Sequence, residues 1–164
     1  MKEKVSVLIA DDNQEFSHTL STYINAQDDM QVVGMARDGE EAIEIMQDIT
    51  PDVVLLDVIM PHLDGLGVLE KISTMQINKK PICIMLSAVG QDKITQKAIA
   101  LGAEYYVVKP FDIELLMKRI REIKFFKPSQ NTNNFIAKET TKQQYIDISR
   151  EESKKEENLE ALVT

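Results

Sequence analysis

Five short apolar runs divide the chain, at residues 5–10, 31–36, 52–58, 81–88 and 104–108. Each is rich in Val, Ile, Leu or Met and shows little alternation with polar residues. That pattern predicts strands covered on both faces, as in a parallel sheet, rather than strands with one wet side. Between the runs the apolar period lengthens to that of a helix. Phe16, Leu20 and Ile24 recur every four residues, and Ala42, Met46 and Ile49 follow the same face. Val68, Leu69 and Ile72 mark a shorter helix after Gly65. Ile94, Ala98 and Leu101, then Leu116, Ile120 and Ile123, complete the set. Each group puts apolar side chains on one stripe, to be turned toward a sheet.

Strand and helix therefore alternate five times, which predicts an α/β fold: a doubly wound five-stranded parallel sheet with five helices on its two faces. Asp38-Gly39, Asp64-Gly65 and Leu101-Gly102 are expected at turns or helix ends, and Asp112 at the start of the last helix. No internal repeat is visible. These elements use residues 1–125. From Phe126 the texture becomes polar and turn-prone, then strongly charged, as in Arg150-Glu-Glu-Ser-Lys-Lys-Glu-Glu157. A mixed-sign run of this kind is expected to be a solvated linker, here 126–164, leading to a further domain absent from this sequence.

Composition narrows the class. Of 164 residues 43% are hydrophobic and 28% charged, too apolar for a wholly disordered chain. No apolar run approaches the roughly 20 residues that span a bilayer, and the N-terminus lacks a signal-peptide layout. The single cysteine, Cys83, sits inside an apolar run and is expected to be a buried small hydrophobe. A cytoplasmic setting without membrane contact follows as the expectation. The net charge of −8 repels nucleic acid, so this stretch is not expected to grip DNA by itself.

In open parallel sheets the chemistry gathers at the carboxyl ends of the strands. Those ends carry Asp11 and Asp12 after strand 1, Asp57 on strand 3, Ser87 on strand 4 and Lys109 on strand 5. The strand order 2-1-3-4-5 makes these residues neighbours. Three adjacent carboxylates repel one another unless a cation lies among them, and a hard divalent ion such as Mg²⁺ suits oxygen donors of this kind. Lys109 and Ser87 can hold the oxygens of a phosphoryl group, and a central carboxylate can attack phosphorus to form an acyl phosphate. Taken singly, each residue has a bland structural role open to it, such as a helix cap or a turn. Their joint placement at strand ends favours phosphoryl chemistry.

The motifs Ile9-Ala-Asp-Asp-Asn13, Pro51-Asp-Val-Val-Leu-Leu-Asp57-Val-Ile-Met-Pro61, Asp64-Gly65, Leu86-Ser87-Ala88 and Lys109-Pro110-Phe111 resemble the receiver domain of the two-component response-regulator family over residues 4 to about 124. The resemblance implies a flavodoxin-like receiver fold and a signalling phosphoacceptor rather than an enzyme. It implies Asp57 as phosphoacceptor, with Ser87 and Lys109 contacting the phosphoryl group. Asp11, Asp12, Asp57 and the backbone carbonyl of Ile59 would hold Mg²⁺, with Ca²⁺ or Mn²⁺ as substitutes. Lys109-Pro110 is expected to be cis. Tyr106 falls at the switch-aromatic position, its ring turning inward as Ser87 moves toward the phosphate. The implied partners are a histidine kinase or phosphotransfer protein, and a second copy of the chain on phosphorylation. The donor is expected to dock near Gln14, Glu15, His18 and Leu20.

A narrower likeness lies in residues 60–70, 88–92 and 103–112, which are similar to the stage-zero sporulation master regulators of endospore-forming bacteria. There a linker joins the receiver to a helical DNA-binding domain, and Asn158–Thr164 resembles the lead-in to that domain. The likeness implies control of transcription at entry into sporulation, with DNA contacted only through the absent domain. His62 matches that branch and is expected to be structural or to touch a partner. Two other classes compete: a stand-alone receiver that signals by binding a protein, and an aspartyl-phosphate hydrolase. Hydrolases resembling haloacid dehalogenases place Asp-x-Asp after the first strand, whereas here the two acids are adjacent and the acceptor lies on strand 3.

Overall fold

The computed structural model describes residues 3–88 and 90–125. The proposed linker, 126–164, and Val89 lie outside the described residues. The elements alternate as expected: β1 (Val5–Ala10), α1 (Gln14–Asn25), β2 (Met30–Ala36), α2 (Gly39–Asp48), β3 (Val53–Leu56), α3 (Gly65–Thr74), β4 (Ile82–Ser87), α4 (Asp92–Ala100), β5 (Tyr105–Val108) and α5 (Ile113–Phe125). All strand pairs are parallel, in the order β2-β1-β3-β4-β5.

The side-chain period of two along each strand splits the core into two layers. Leu8 and Ala10 of β1, Val54 and Leu56 of β3, and Cys83 and Met85 of β4 face α2, α3 and α4. Val5, Val7 and Ile9, with Val53, Leu55, Ile84 and Leu86, face α1 and α5. Every strand between the edges is thus apolar on both faces, which is why the runs show no alternation. Each fully buried Val, Leu or Ile contributes roughly 1.5–3 kcal/mol of transfer free energy. Cys83 is buried among them, and burial pushes its thiol up to about 12, as fits an inert small hydrophobe.

Three local expectations are corrected. Ile49 does not belong to the inner face of α2: the helix ends at Asp48, Ile49 adopts an extended backbone as its cap, and it is 41% exposed. Ile43 takes its place beside Ala42 and Met46. Asp38-Gly39 and Asp64-Gly65 begin helices rather than end them. The Asp38 carboxylate accepts the Glu41 N–H at 2.8 Å and the Asp64 carboxylate the Gly67 N–H at 2.7 Å, each relieving an orphan donor of the first turn. Leu20, placed above on the donor-docking surface, is buried under α1 against the sheet. Gly102, by contrast, follows the end of α4 as expected, with φ of +112° that suits glycine.

One polar device aligns the strands beneath the site. Asp52, just before β3, accepts the Ser6 backbone N–H at 2.9 Å and the Ser6 hydroxyl at 3.1 Å, while its own N–H donates to Ser6 Oγ. Lys79 adds an ion pair at 2.8 Å. Burial pushes the Asp52 carboxyl up, but the bonds from Lys79 and Ser6 outweigh it and hold it below its ordinary value. A lowered folded pKa stabilises above the unfolded carboxylate range and is lost as pH falls through the folded value. Asp52→Ala is therefore expected to cost about 1–2 kcal/mol at pH 7, the surface lysine adding little. Urea unfolding at neutral and acid pH checks this, and the gap to wild type should narrow in acid.

Candidate functional site

The strand order brings the carboxyl ends of β1, β3, β4 and β5 side by side, and Asp11, Asp12, Asp57, Ser87 and Lys109 fall there. Asp11 and Asp12 follow β1. Asp11 is buried and accepts the Asn13 N–H at 2.8 Å, while Asn13 caps α1 through the Phe16 N–H. Asp12 is exposed. Asp57 directly follows β3, its N–H continuing the ladder to the Ala10 carbonyl at 2.9 Å. Ser87 closes β4, is buried, and hydrogen-bonds the Asp57 carboxylate. Lys109 follows β5, anchored by its N–H to the Ser87 carbonyl at 2.8 Å, and the Lys109–Pro110 peptide is cis as expected.

The charges converge. The Lys109 ammonium lies 2.5 Å from Asp11 Oδ2 and 3.8 Å from Asp57 Oδ2. Asp11, Asp12 and Asp57 each offer an oxygen, and these oxygens lie within 4.8 Å of one another. Three carboxylates against one ammonium leave the pocket two charges negative. Burial pushes the Asp57 carboxyl up and the Asp11 charge adds to this, while Lys109, the Ile59 N–H and Ser87 pull it back; the net direction is upward. Hard oxygen donors carrying excess negative charge at this spacing fit a divalent cation such as Mg²⁺.

The loop after Asp57 is tightly placed. The Ile59 N–H reaches Asp57 Oδ1 at 3.4 Å, and the Ile59 side chain is 62% exposed. The Gly65 N–H donates to the Val58 carbonyl at 2.8 Å, and a Cβ on Gly65 would stand 2.1 Å from the Asp57 carbonyl oxygen. Only glycine allows α3 to start so close to Asp57. His62 takes a left-handed backbone, φ 67°, within this loop. Tyr106 is 1% exposed and packs in the core layer of α2, α3 and α4, so its ring already points inward.

Phe16 belongs to the site although its period marked it only as a helix-face residue. Its ring lies beneath the Lys109 ammonium, 4.1 Å from centroid to nitrogen, and meets Phe111 edge-on. The only hint in the sequence is an aromatic residue early in α1, a few residues beyond the acidic pair.

Comparisons with known proteins agree with this geometry. Residues 7–121 match the response regulator receiver domain, and the chain belongs to that family. The response regulator domain of Thermotoga maritima CheB is 31% identical with a TM-score of 0.70, covering 77% of this chain and all of that one. CheY of Borrelia burgdorferi, solved in a complex with CheX, BeF₃ and Mg²⁺, is 31% identical with a TM-score of 0.67 over 76% of this chain and 92% of that one. The receiver of NarL from Mycobacterium tuberculosis is 28% identical with a TM-score of 0.70, covering 74% and 98%. Receiver domains serve phosphorylation-dependent signalling as phosphoacceptors rather than as enzymes in the usual sense, and they typically bind Mg²⁺ in an acidic pocket. Among the described residues no helix is long and apolar enough to cross a membrane.

The raised Asp57 carboxyl makes a stability prediction. Its folded pKa lies above the unfolded one, so the fold carries no penalty below the unfolded value and an increasing one as pH rises through the folded value. Asp57→Asn removes that penalty. In chelator at pH 7 the variant is expected to melt above wild type. Melting curves at pH 3, and at pH 7 with Mg²⁺ added, should show the difference shrinking.

Proposed function

We propose that this chain receives a phosphoryl group on Asp57 from a phosphohistidine of a histidine kinase or phosphotransfer protein, and that the acyl phosphate changes its association with other molecules. The observation that carries this reading is the placement of Asp57, a nearly buried carboxylate faced by Lys109, Ser87 and Asp11 at four adjacent strand ends.

Asp57 attacks phosphorus, the P–N bond to the donor imidazole breaks, and the imidazole leaves with the bonding pair. Lys109, already 3.8 Å from Asp57, moves to the incoming oxygens, and the Ser87 hydroxyl turns from the carboxylate to donate to another of them. Asp11, Asp12, Asp57 and the Ile59 carbonyl would hold Mg²⁺, which supplies neutralisation of the phosphoryl charge when bound. Gln14, Glu15 and His18 are exposed at the start of α1, beside a cleft of about 380 Å³ that includes Met35 and Arg37, and this is the surface offered to the donor.

Ser87 and Tyr106 form the switch. Because Tyr106 is already inward, phosphorylation on this reading fixes a packing that the unmodified chain can reach, a population shift biased by one covalent charge. The face of α4, β5 and α5 then pairs with a second copy. Residues 126–164 connect the receiver to a DNA-binding domain that acts in transcription, the sporulation-regulator likeness of residues 60–70, 88–92 and 103–112 being the support for that setting.

Intact mass after incubation with a small acyl phosphate and Mg²⁺ tests the acceptor. One alkali-labile phosphoryl group is expected, absent in Asp57→Asn and absent with chelator. An adduct that persists in Asp57→Asn, or none on the folded native chain, contradicts the assignment. Sedimentation of the phosphorylated chain should show a dimer, and a monomer at every concentration would remove the output step.

A further inference from the structure

Carboxylates are not the only groups that hold Lys109. Its ammonium sits 4.1 Å from the centroid of the Phe16 ring, well inside the roughly 6 Å over which a ring face attracts a cation. Phe16 is fixed in turn by Phe111, with ring centroids 6.1 Å apart and planes at 86°, an edge-to-face arrangement that aromatic pairs prefer. Phe111 follows Lys109 by two residues and Phe16 lies in the first turns of α1. The lysine and the ring that braces its platform therefore come from one turn, and the platform from the opposite side of the pocket. The Lys109 side chain is only 21% exposed, so water screens this attraction incompletely.

We propose that Phe16 is a positioning residue for phosphoryl transfer, its ring face keeping the Lys109 ammonium in the pocket while that ammonium exchanges carboxylate oxygens for phosphoryl oxygens. The inference rests on the reading of Lys109 as a phosphoryl contact. The physical need is plain from the distances. At 2.5 Å from Asp11 and 3.8 Å from Asp57, the ammonium is paired on the wrong side of the pocket for transfer and must move. A carboxylate holds it at one spot, whereas a ring face attracts it over a broad area and survives a shift of about an ångström. The lysine stem has large rotamer freedom, and without the platform it must be ordered from solvent-reaching rotamers at the moment of reaction. The ring also uses none of the carboxylate oxygens that a metal ion would take.

The test places fluorinated phenylalanines with one, two and three ring fluorines at position 16 of the full chain, which drain the ring face of negative charge and change its shape little. Phe16→Leu, Phe16→Tyr and Lys109→Ala are measured beside them. The readout is the rate of phosphorylation by a small acyl phosphate with saturating Mg²⁺, with circular dichroism confirming the fold of each variant. The rate is expected to fall stepwise with fluorine number, to drop about three- to tenfold in Phe16→Leu, and to stay near native in Phe16→Tyr. A rate independent of fluorine number while Lys109→Ala is inactive overturns the proposal and leaves Phe16 a packing residue. A Lys109→Ala variant that phosphorylates at the native rate overturns the phosphoryl-contact reading, and this inference with it.

Discussion

Mutual repulsion among Asp11, Asp12 and Asp57 is the constraint on which the upper end of this domain depends. Their oxygens lie within 4.8 Å of one another, and a single ammonium faces them. A folded chain keeps such a cluster only by supplying compensation from several directions. Here Lys109 sits between two of the acids, the Asn13 N–H serves Asp11, and the Ile59 N–H and Ser87 serve Asp57. Burial outweighs this compensation and, with the Asp11 charge, leaves the Asp57 carboxyl above its ordinary value. The oxygens of Asp11, Asp12 and Asp57 at this spacing fit a divalent cation.

The sheet makes this crowding possible. Two apolar layers, one against α2, α3 and α4 and the other against α1 and α5, bury nearly every side chain of β1, β3 and β4 and hold the strand ends in fixed register. The Ser6–Asp52 contacts set β1 against β3 at the far end, and the Asp57 N–H to the Ala10 carbonyl does so at the site. Gly65 lets α3 begin against the Asp57 carbonyl. Stability invested in these contacts is partly offset by the charge cluster, the usual arrangement where a fold carries a reactive site.

Much of this was legible in the residues. Strands buried on both faces leave apolar runs that cannot be missed, and the parallel order followed from them; Asp11, Asp12, Asp57, Ser87 and Lys109 were legible because strand ends are where such folds converge. What failed was local and has local causes. Ile49 fits the period of α2, yet a period cannot report that the helix stops one residue earlier. Asp38-Gly39 and Asp64-Gly65 could begin or end a helix, and the choice was made by carboxylate bonds to N–H groups three residues on. Leu20 satisfied both a core stripe and a surface guess, and the sheet claimed it. Phe16 was hidden because its partner Lys109 lies 93 positions away, and no local pattern records a contact across the pocket. Asp52 was visible in a motif, but its bonds to Ser6 depend on the pairing of β1 and β3.

On the proposed function, this pocket takes a phosphoryl group on Asp57 together with a divalent cation. Fluorine NMR of the chain with beryllium fluoride, a phosphoryl-shaped anion, tests it without reliance on any donor. Bound fluorine resonances that require Mg²⁺ and vanish in Asp57→Asn are expected. Resonances that form equally well in chelator or in Asp57→Asn would contradict it.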